Sequence, residues 1–256
     1  KLVVASSRAV YGEGKYQCKN HGTVFPGVRD EKALEKGKFE HSCPYCGTVL
    51  TPVPTDEFSS LMPASVYGVT KLTQEQLVLS VGASLGISAI AFRYQNVYGA
   101  GQSLSNPYTG ILSIFSTRIR NGKSFNIFED GFESRDFVHV DDVVAATVLG
   151  IEKSEKTVDV FNVGSGIATT VLDVADSLQR LLGSKTDFSI TGQYRSGDIR
   201  HNFCDLTKIE SSLGFKPEIT FENGLIEFAE WVKSEPASDD GYETSLKELA
   251  DRGLIN

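Results

Sequence analysis

Two short apolar runs that stop at small polar residues restrict the fold more than anything else in these 256 residues. Leu2-Val3-Val4-Ala5 gives way to Ser6-Ser7, and Ile87-Ser88-Ala89-Ile90-Ala91-Phe92-Arg93 ends at Tyr94-Gln95-Asn96. Continuous runs of this kind suit buried parallel strands, and ligands meet an open α/β sheet at the carboxyl ends of such strands. Between them, Met62-Pro63-Ala64-Ser65 has the character of a turn and helix start. Leu72, Gln76, Leu77 and Leu79 carry a helical pattern onward.

After Gly101 the elements shorten and mix. The pattern predicts a polar loop over Gln102 to Tyr108, an amphipathic helix over Ile111 to Ile119, and a short strand over Ser124 to Phe128. A helix is expected from Val140 to Glu152, a strand from Val158 to Val163 ending at Gly164-Ser165-Gly166, and a helix from Thr170 to Leu182 capped by its threonine. Phe203-Cys204-Asp205 reads as a short strand with Cys204 in the core, and Leu225 to Val232 as a late helix with the only tryptophan. Residues 236–241 form a linker by composition, and Ser245 to Arg252 a terminal helix outside the core.

The net charge of −8 and the absence of a basic run disfavour a nucleic-acid or anionic-membrane surface. No apolar run approaches a membrane span, and no charged-then-apolar leader opens the chain. A cytoplasmic protein is expected. Three of the four cysteines cluster with a histidine, a pattern that suits metal ligands in a reducing compartment better than disulfides.

Two residues separate Cys18 from His21 and two separate Cys43 from Cys46, and a glycine follows each pair at Gly22 and Gly47. Two such knuckles present four ligands tetrahedrally, as in a zinc ribbon, with His41 a rival ligand. A complete protein ligand set leaves no open position for water, so this zinc would be structural. Mixed acidic and basic residues between Lys15 and Lys38 argue for a lid or interface element over a nucleic-acid module.

Tyr67-Gly68-Val69-Thr70-Lys71 carries the chemistry. On a helix Tyr67 and Lys71 lie one turn apart on the same face. A phenol of ordinary pKa near 10 needs a drop of about 3 units, roughly 4 kcal/mol, to serve as a base at neutral pH. A nearby ammonium supplies part of that.

Around this pair stand Ser6-Ser7-Arg8-Ala9-Val10-Tyr11-Gly12, Phe92-Arg93-Tyr94-Gln95-Asn96-Val97-Tyr98-Gly99 and Arg135-Asp136-Phe137-Val138-His139-Val140-Asp141-Asp142. In this order the blocks resemble the extended short-chain dehydrogenase/reductase family, specifically its nucleotide-sugar epimerases and dehydratases, from residue 1 to about residue 235. The cysteine-bearing insertion, the Ser6 to Gly12 block and the tail Leu246 to Leu254 together look most like the dTDP-L-rhamnose 4-epimerase type. This resemblance implies an α/β fold built on a Rossmann-type parallel sheet whose first strands, pyrophosphate loop and ribose-binding acid are absent, so the chain is expected to be the C-terminal part of a longer protein, weak or inactive alone. Residues 1–12 and 58–100 would form the partial dinucleotide-binding domain, rejoined by 139–166. The zinc insertion would span 13–57, a smaller α+β substrate lobe 101–138 and 167–235, and the linker and helix 236–256.

The same resemblance implies NAD as cofactor, a dTDP- or UDP-sugar substrate and a homodimer. Ser7, Tyr67 and Lys71 take catalytic roles that also touch the cofactor, and Gln95 lies where the backbone touches the nicotinamide. The family often has Phe at that position, so Gln95 is a departure. Asn96 would contact the sugar nucleotide, and Arg135 and Arg195 the diphosphate. Phe128 is a candidate to stack on the base. Plainer readings stand beside these: Ser7 as a turn cap, Asn96 as a turn former, Phe128 as a core aromatic, Arg135 paired with Asp136 or Asp141. Arg8 and Ala9 stand where dehydratases of the family carry an acidic pair, so elimination of water lacks its acid and base, leaving epimerisation or simple oxidoreduction. A 4-ketoreductase and a catalytically silent, zinc-stabilised binding subunit are the competing readings.

Overall fold

The computed structural model describes residues 1–105, 110–153, 155, 157–236 and 241–255. Strand β1 (Leu2–Ser7) runs into a 3-10 turn (Arg8–Tyr11), then β2 (Tyr16–Cys18), β3 (Gly22–Val24), α1 (Glu31–Leu34) and β4 (Thr51–Pro52). Helix α2 (Val66–Leu85) leads to β5 (Ala89–Tyr94), β6 (Asn96–Tyr98), α3 (Ile111–Arg120), β7 (Phe125–Ile127), β8 (Ser134–Arg135) and β9 (Phe137–His139). Next come α4 (Val140–Lys153), β10 (Val158–Val163), β11 (Thr169–Thr170), α5 (Val171–Leu182) and β12 (Phe188–Ile190). The remainder is β13 (His201–Asn202), α6 (Thr207–Leu213), α7 (Phe221–Ser234) and α8 (Tyr242–Asp251).

Three parallel strands in the order β1-β5-β10 make the sheet that positions the site. Its register sets Ser7 and Val163 level with Tyr94, so all three strands end together. Ala89 to Phe92 of the central strand are fully buried, as their apolar run required. The first strand differs from expectation: its residues alternate in burial and Val3 is 36% exposed. Among the described residues β1 has a strand on one side only, which leaves part of it uncovered.

Helix α2 is seated by its ends and by one gap in its side chains. Ser65 caps the start by accepting from Gly68 N at 3.0 Å, and Gly86 closes the end in a left-handed conformation. At Gly68 the first turn passes so close to the 3-10 turn that a Cβ would lie 2.7 Å from the Ala9 carbonyl oxygen. Below it, Glu75 is buried against Arg93 and accepts from Ser6 Oγ at 2.6 Å.

A second core joins α3, α5 and α7 through Phe115, Ile119, Val174, Leu178, Phe228 and Val232. Thr170 caps α5 reciprocally with Asp173, and Phe115 stacks on Phe125 of β7 at 4.4 Å. Trp231 packs on the outside of this core, 5.6 Å from Phe228. Contrary to expectation, the terminal helix belongs to it. Tyr242 is buried and its hydroxyl accepts from Asn126 N at 2.9 Å, while Leu246 lies against the same cluster. An aromatic ring at the start of α8 buries more apolar area than its polar surroundings suggest. Most of the linker before it, and the end of the Gln102 loop, lie outside the described residues.

Phe203-Cys204-Asp205 is not a strand. The regular pairing falls at His201–Asn202 on β8, and Cys204 makes a lone bridge to Thr55 because its backbone and thiol both turn to Asp136 Oδ2 at 3.2 Å. Cys204 is nevertheless buried, as read. No helix among the described residues is long and apolar enough to cross a membrane.

Residues between the 3-10 turn and α2 form a small three-stranded sheet, β3-β2-β4, over Tyr16, Val24 and Leu50. Ion pairs lock it to the 195–200 segment. Arg29 reaches Glu129 at 2.7 Å and the Asp198 carbonyl at 2.9 Å, and Arg200 binds Glu40, Glu129 and Asp130. His41 faces Glu13 at 3.0 Å, away from the cysteines.

Candidate active site

At the carboxyl edge of the sheet, a cavity of about 440 Å³ is lined by Ser7, Arg8, Tyr67, Gln95, Asn96 and Arg195, among others. Helix α2 brings the Tyr67 ring over it, and Lys71 Nζ sits 5.8 Å from that ring's centre. The ammonium also donates to the Ala5 carbonyl at 2.9 Å, which fixes it against β1. Ser7 Oγ accepts from Ala9 N at 3.2 Å, so the capping role is realised while the hydroxyl still borders the cavity. Of the sequence-derived set, Ser7 and Tyr67 line the cavity, while Lys71 stands behind the Tyr67 ring and does not border the space itself.

Gln95 is buried, its backbone N bonded to the Val163 carbonyl at 2.9 Å, yet neither side-chain amide atom has a hydrogen-bond partner. Asn96 Oδ1 is likewise buried and unpartnered. Orphaned amide atoms beside a cavity call for a polar ligand. A carboxamide with a donor and an acceptor of its own, as in nicotinamide, satisfies Gln95, so the residues present fit the nicotinamide end of NAD. Among the described residues no glycine-rich turn meets the cavity to hold a pyrophosphate, so the fit is confined to that end.

A second cavity of about 230 Å³ is lined by Asn126, Phe128, Glu133, Arg135, Val171 and Tyr242, with others. Arg8, Asn96, Arg195 and Asp198 line both cavities and form the neck between them. Phe128 borders this second space and is not part of the buried core cluster. Glu133 is pushed up to about 7, chiefly by burial, and by the neighbouring Glu129.

Arg135 is bound differently from expectation. Its NH1 donates to the Ser134 and Arg200 carbonyls at 2.8 and 3.0 Å, and NH2 to the Ile199 carbonyl at 2.7 Å and Asp198 at 3.0 Å. Its acidic partner is thus Asp198, not Asp136 or Asp141. Asp136 instead accepts from Ser165 N, Ser165 Oγ and Gly166 N at 2.7 to 2.9 Å. Arg8 and Arg195 make no side-chain hydrogen bond or ion pair among the described residues. Burial and the adjacent Arg135 cation bring Arg8 down to about 10.

Sequence reasoning missed Arg8 as a cavity cation, having weighed it only for the acid it lacks, and missed Glu133 and Tyr242. For Arg8 the adjacency to Ser7 was the available signal; for Tyr242 there was none.

Away from the cavities, Cys18 Sγ lies 3.6 Å from His21 Nδ1 and 3.7 Å from Cys46 Sγ, and Cys43 Sγ lies 3.6 Å from His21 Nδ1. All four ligand atoms fall within 4.8 Å of one another, and no disulfide joins the cysteines. The glycine after each knuckle has positive φ, 72° at Gly22 and 71° at Gly47, as turns this tight require.

The model of the NAD dependent epimerase/dehydratase family matches residues 1–164. The dTDP-L-rhamnose 4-epimerase of Burkholderia thailandensis is 38% identical over 234 residues, 91% of this chain and 63% of that protein. The UDP-N-acetylglucosamine 4-epimerase of Methanobrevibacter ruminantium, solved with UDP-N-acetylmuramic acid, superposes with a TM-score of 0.68 at 28% identity, covering 91% of this chain and 62% of that one. MoeE5, solved with UDP-glucuronic acid and NAD, gives 0.68 at 29% identity, over 90% and 64%. The chain thus spans less than two thirds of the length of each.

Proposed function

The chain belongs to the NAD dependent epimerase/dehydratase family, and from that membership and the Tyr67 cavity we propose that the protein interconverts C4 epimers of a nucleoside-diphosphate hexose of the dTDP-L-rhamnose kind. The observation that carries the reading is the meeting of Tyr67 and Ser7 in one cavity at the carboxyl edge of the sheet, with Lys71 Nζ 5.8 Å from the Tyr67 ring centre and unsatisfied amides at Gln95 and Asn96 alongside. Bound NAD would supply a hydride acceptor that returns the hydride in the second half-reaction.

The remaining work falls to side chains of this chain. Tyr67 Oη removes the proton of the sugar 4-hydroxyl and gives it back after the 4-keto sugar has turned over. Lys71 sets its ammonium 5.8 Å from the centre of the Tyr67 ring, held there by the Ala5 carbonyl. Ser7 Oγ holds the oxygen as it passes from alcohol to carbonyl. Gln95 orients the carboxamide, and Asn96 the sugar. Elimination of water is disfavoured because the acid bordering this cavity is Asp198, which Arg135 holds below its ordinary value against the pull of burial.

A structural zinc at Cys18, His21, Cys43 and Cys46 completes the reading. Tetrahedral bonds of about 2.3 Å imply ligand atoms roughly 3.8 Å apart, and the separations of 3.6 to 3.7 Å support that geometry. The cytoplasm suits four unpaired cysteines. A homodimer suits the exposed stripe of Val69, Leu77, Val81 and Leu85 on α2.

Incubating the full-length protein with dTDP-L-rhamnose and NAD at a small fraction of the sugar tests the reading. Many turnovers to the C4 epimer without added reductant are expected, and Tyr67→Phe should lower kcat by about 10²- to 10⁴-fold. Stoichiometric consumption of NADPH would indicate a ketoreductase instead. Failure to convert any nucleotide sugar, with NAD retained, would favour a silent binding subunit.

A further inference from the structure

Resting on the nucleotide-sugar reading above, we propose that Arg8 is the guanidinium that, with Arg195, grips the diphosphate of the substrate in the neck between the two cavities. The family resemblance implied Arg135 for that task, but its NH groups are engaged by three backbone carbonyls and Asp198. Those bonds shape the 198–200 segment and leave little of the fork for a ligand.

Arg8 differs in each respect. It sits immediately after Ser7, so its place in the neck is tied to the catalytic edge of the sheet. Its side chain has no hydrogen-bond partner among the described residues, although a guanidinium carries five donors. It borders the Tyr67 cavity and the Phe128 cavity at once, as does Arg195. A sugar nucleotide has the same three-part layout: hexose, diphosphate, nucleoside. With the hexose at Tyr67 and the base at Phe128, the diphosphate falls in the neck. The charges match as well, since a diphosphate diester carries two negative charges and Arg8 and Arg195 are two cations with no hydrogen-bonded partner among the described residues. Asp198, bound to Arg135 at 3.0 Å, also draws on both of these charges, but the three guanidinium groups Arg8, Arg135 and Arg195 outnumber that one carboxylate. Planar guanidinium forks meet phosphate oxygens with paired hydrogen bonds, which lets the diphosphate stay fixed while the keto sugar turns.

The test is calorimetric titration of the purified protein with dTDP, UDP and the corresponding nucleosides, comparing wild type with Arg8→Ala and Arg8→Lys. Arg8→Ala should weaken nucleoside diphosphates by about 10- to 100-fold while leaving nucleoside affinity and the urea midpoint within error. Arg8→Lys should recover part of the loss, and raised salt should weaken wild type more than Arg8→Ala. Equal losses for nucleoside and nucleoside diphosphate would show a merely structural role and overturn the proposal. Unchanged dTDP and UDP affinity in Arg8→Ala would overturn it too, without touching the epimerase reading. Wild type that binds neither diphosphate would overturn both.

Discussion

Glu75 on α2 and Arg93 on β5 meet side-on beneath the first strand, Arg93 NH2 2.5 Å from Glu75 Oε1 and Nε 3.1 Å from Oε2. Arg93 NH1 continues to Tyr11 Oη at 2.9 Å, which donates to Asn162 Oδ1 at 2.7 Å. Four elements are thereby tied to one buried pair, and the helix bearing Tyr67 is fixed to the sheet bearing Ser7. Glu75→Gln leaves Arg93 charged and buried without its counter-ion. It should destabilise the protein by about 3–5 kcal/mol, read from the urea midpoint. A loss under 1 kcal/mol would mean the pair does not anchor α2.

Gly68 tests placement more finely. Alanine there gains helix propensity, about 1 kcal/mol, but its Cβ would press on the Ala9 carbonyl from 2.7 Å. The helix start must then shift, carrying Tyr67 with it. Since a displacement of ~1 Å can cost about 10²-fold in rate, kcat should fall roughly 10- to 100-fold. Thermal stability should change little. An active, unshifted Gly68→Ala would show that the close approach is dispensable.

Stability should decline between pH 4.5 and 7 on account of Glu133. Below the ordinary value of 4.5 it is protonated in both states, and above about 7 it is ionised in both. Between them only the folded state holds the proton, so stability is lost as pH rises, by up to about 3 kcal/mol for this group. Comparing chemical denaturation at pH 5 and 7.5, Glu133→Gln should remove that slope. A slope equal to wild type would assign the loss to other groups.

Mercurial titration in the presence of a zinc indicator should release one zinc per chain, and Cys43→Ser should abolish it. Because Arg29 and Glu40 connect this region to Glu129, Asp198 and Arg200, metal loss should also raise KM for the sugar nucleotide. No zinc in protein purified without chelator would remove the metal from the account.

Local pattern carried much of this. The spacing of Tyr67 and Lys71 is a property of five residues, and the apolar run from Ala89 to Phe92 announced a central strand. Capping at Thr170 was visible for the same reason. What escaped depends on pairs far apart in the chain: Arg135 with Asp198, Glu13 with His41, Cys204 with Asp136. Each lies on a different element from its partner, and no periodicity encodes such a meeting. Tyr242 escaped because one buried ring in a polar helix leaves no recurring signal.

The position of Trp231 has a practical outcome. As the only indole, seated on Phe228 and remote from the β1-β5-β10 strands, it makes intrinsic fluorescence an optical gauge of the α3-α5-α7 core alone. Far-ultraviolet dichroism, by contrast, sums over every helix, α2 included. Superimposable melting curves from the two signals would mean both cores let go in one event, whereas an earlier fluorescence change would mean that the part bearing the indole comes apart first.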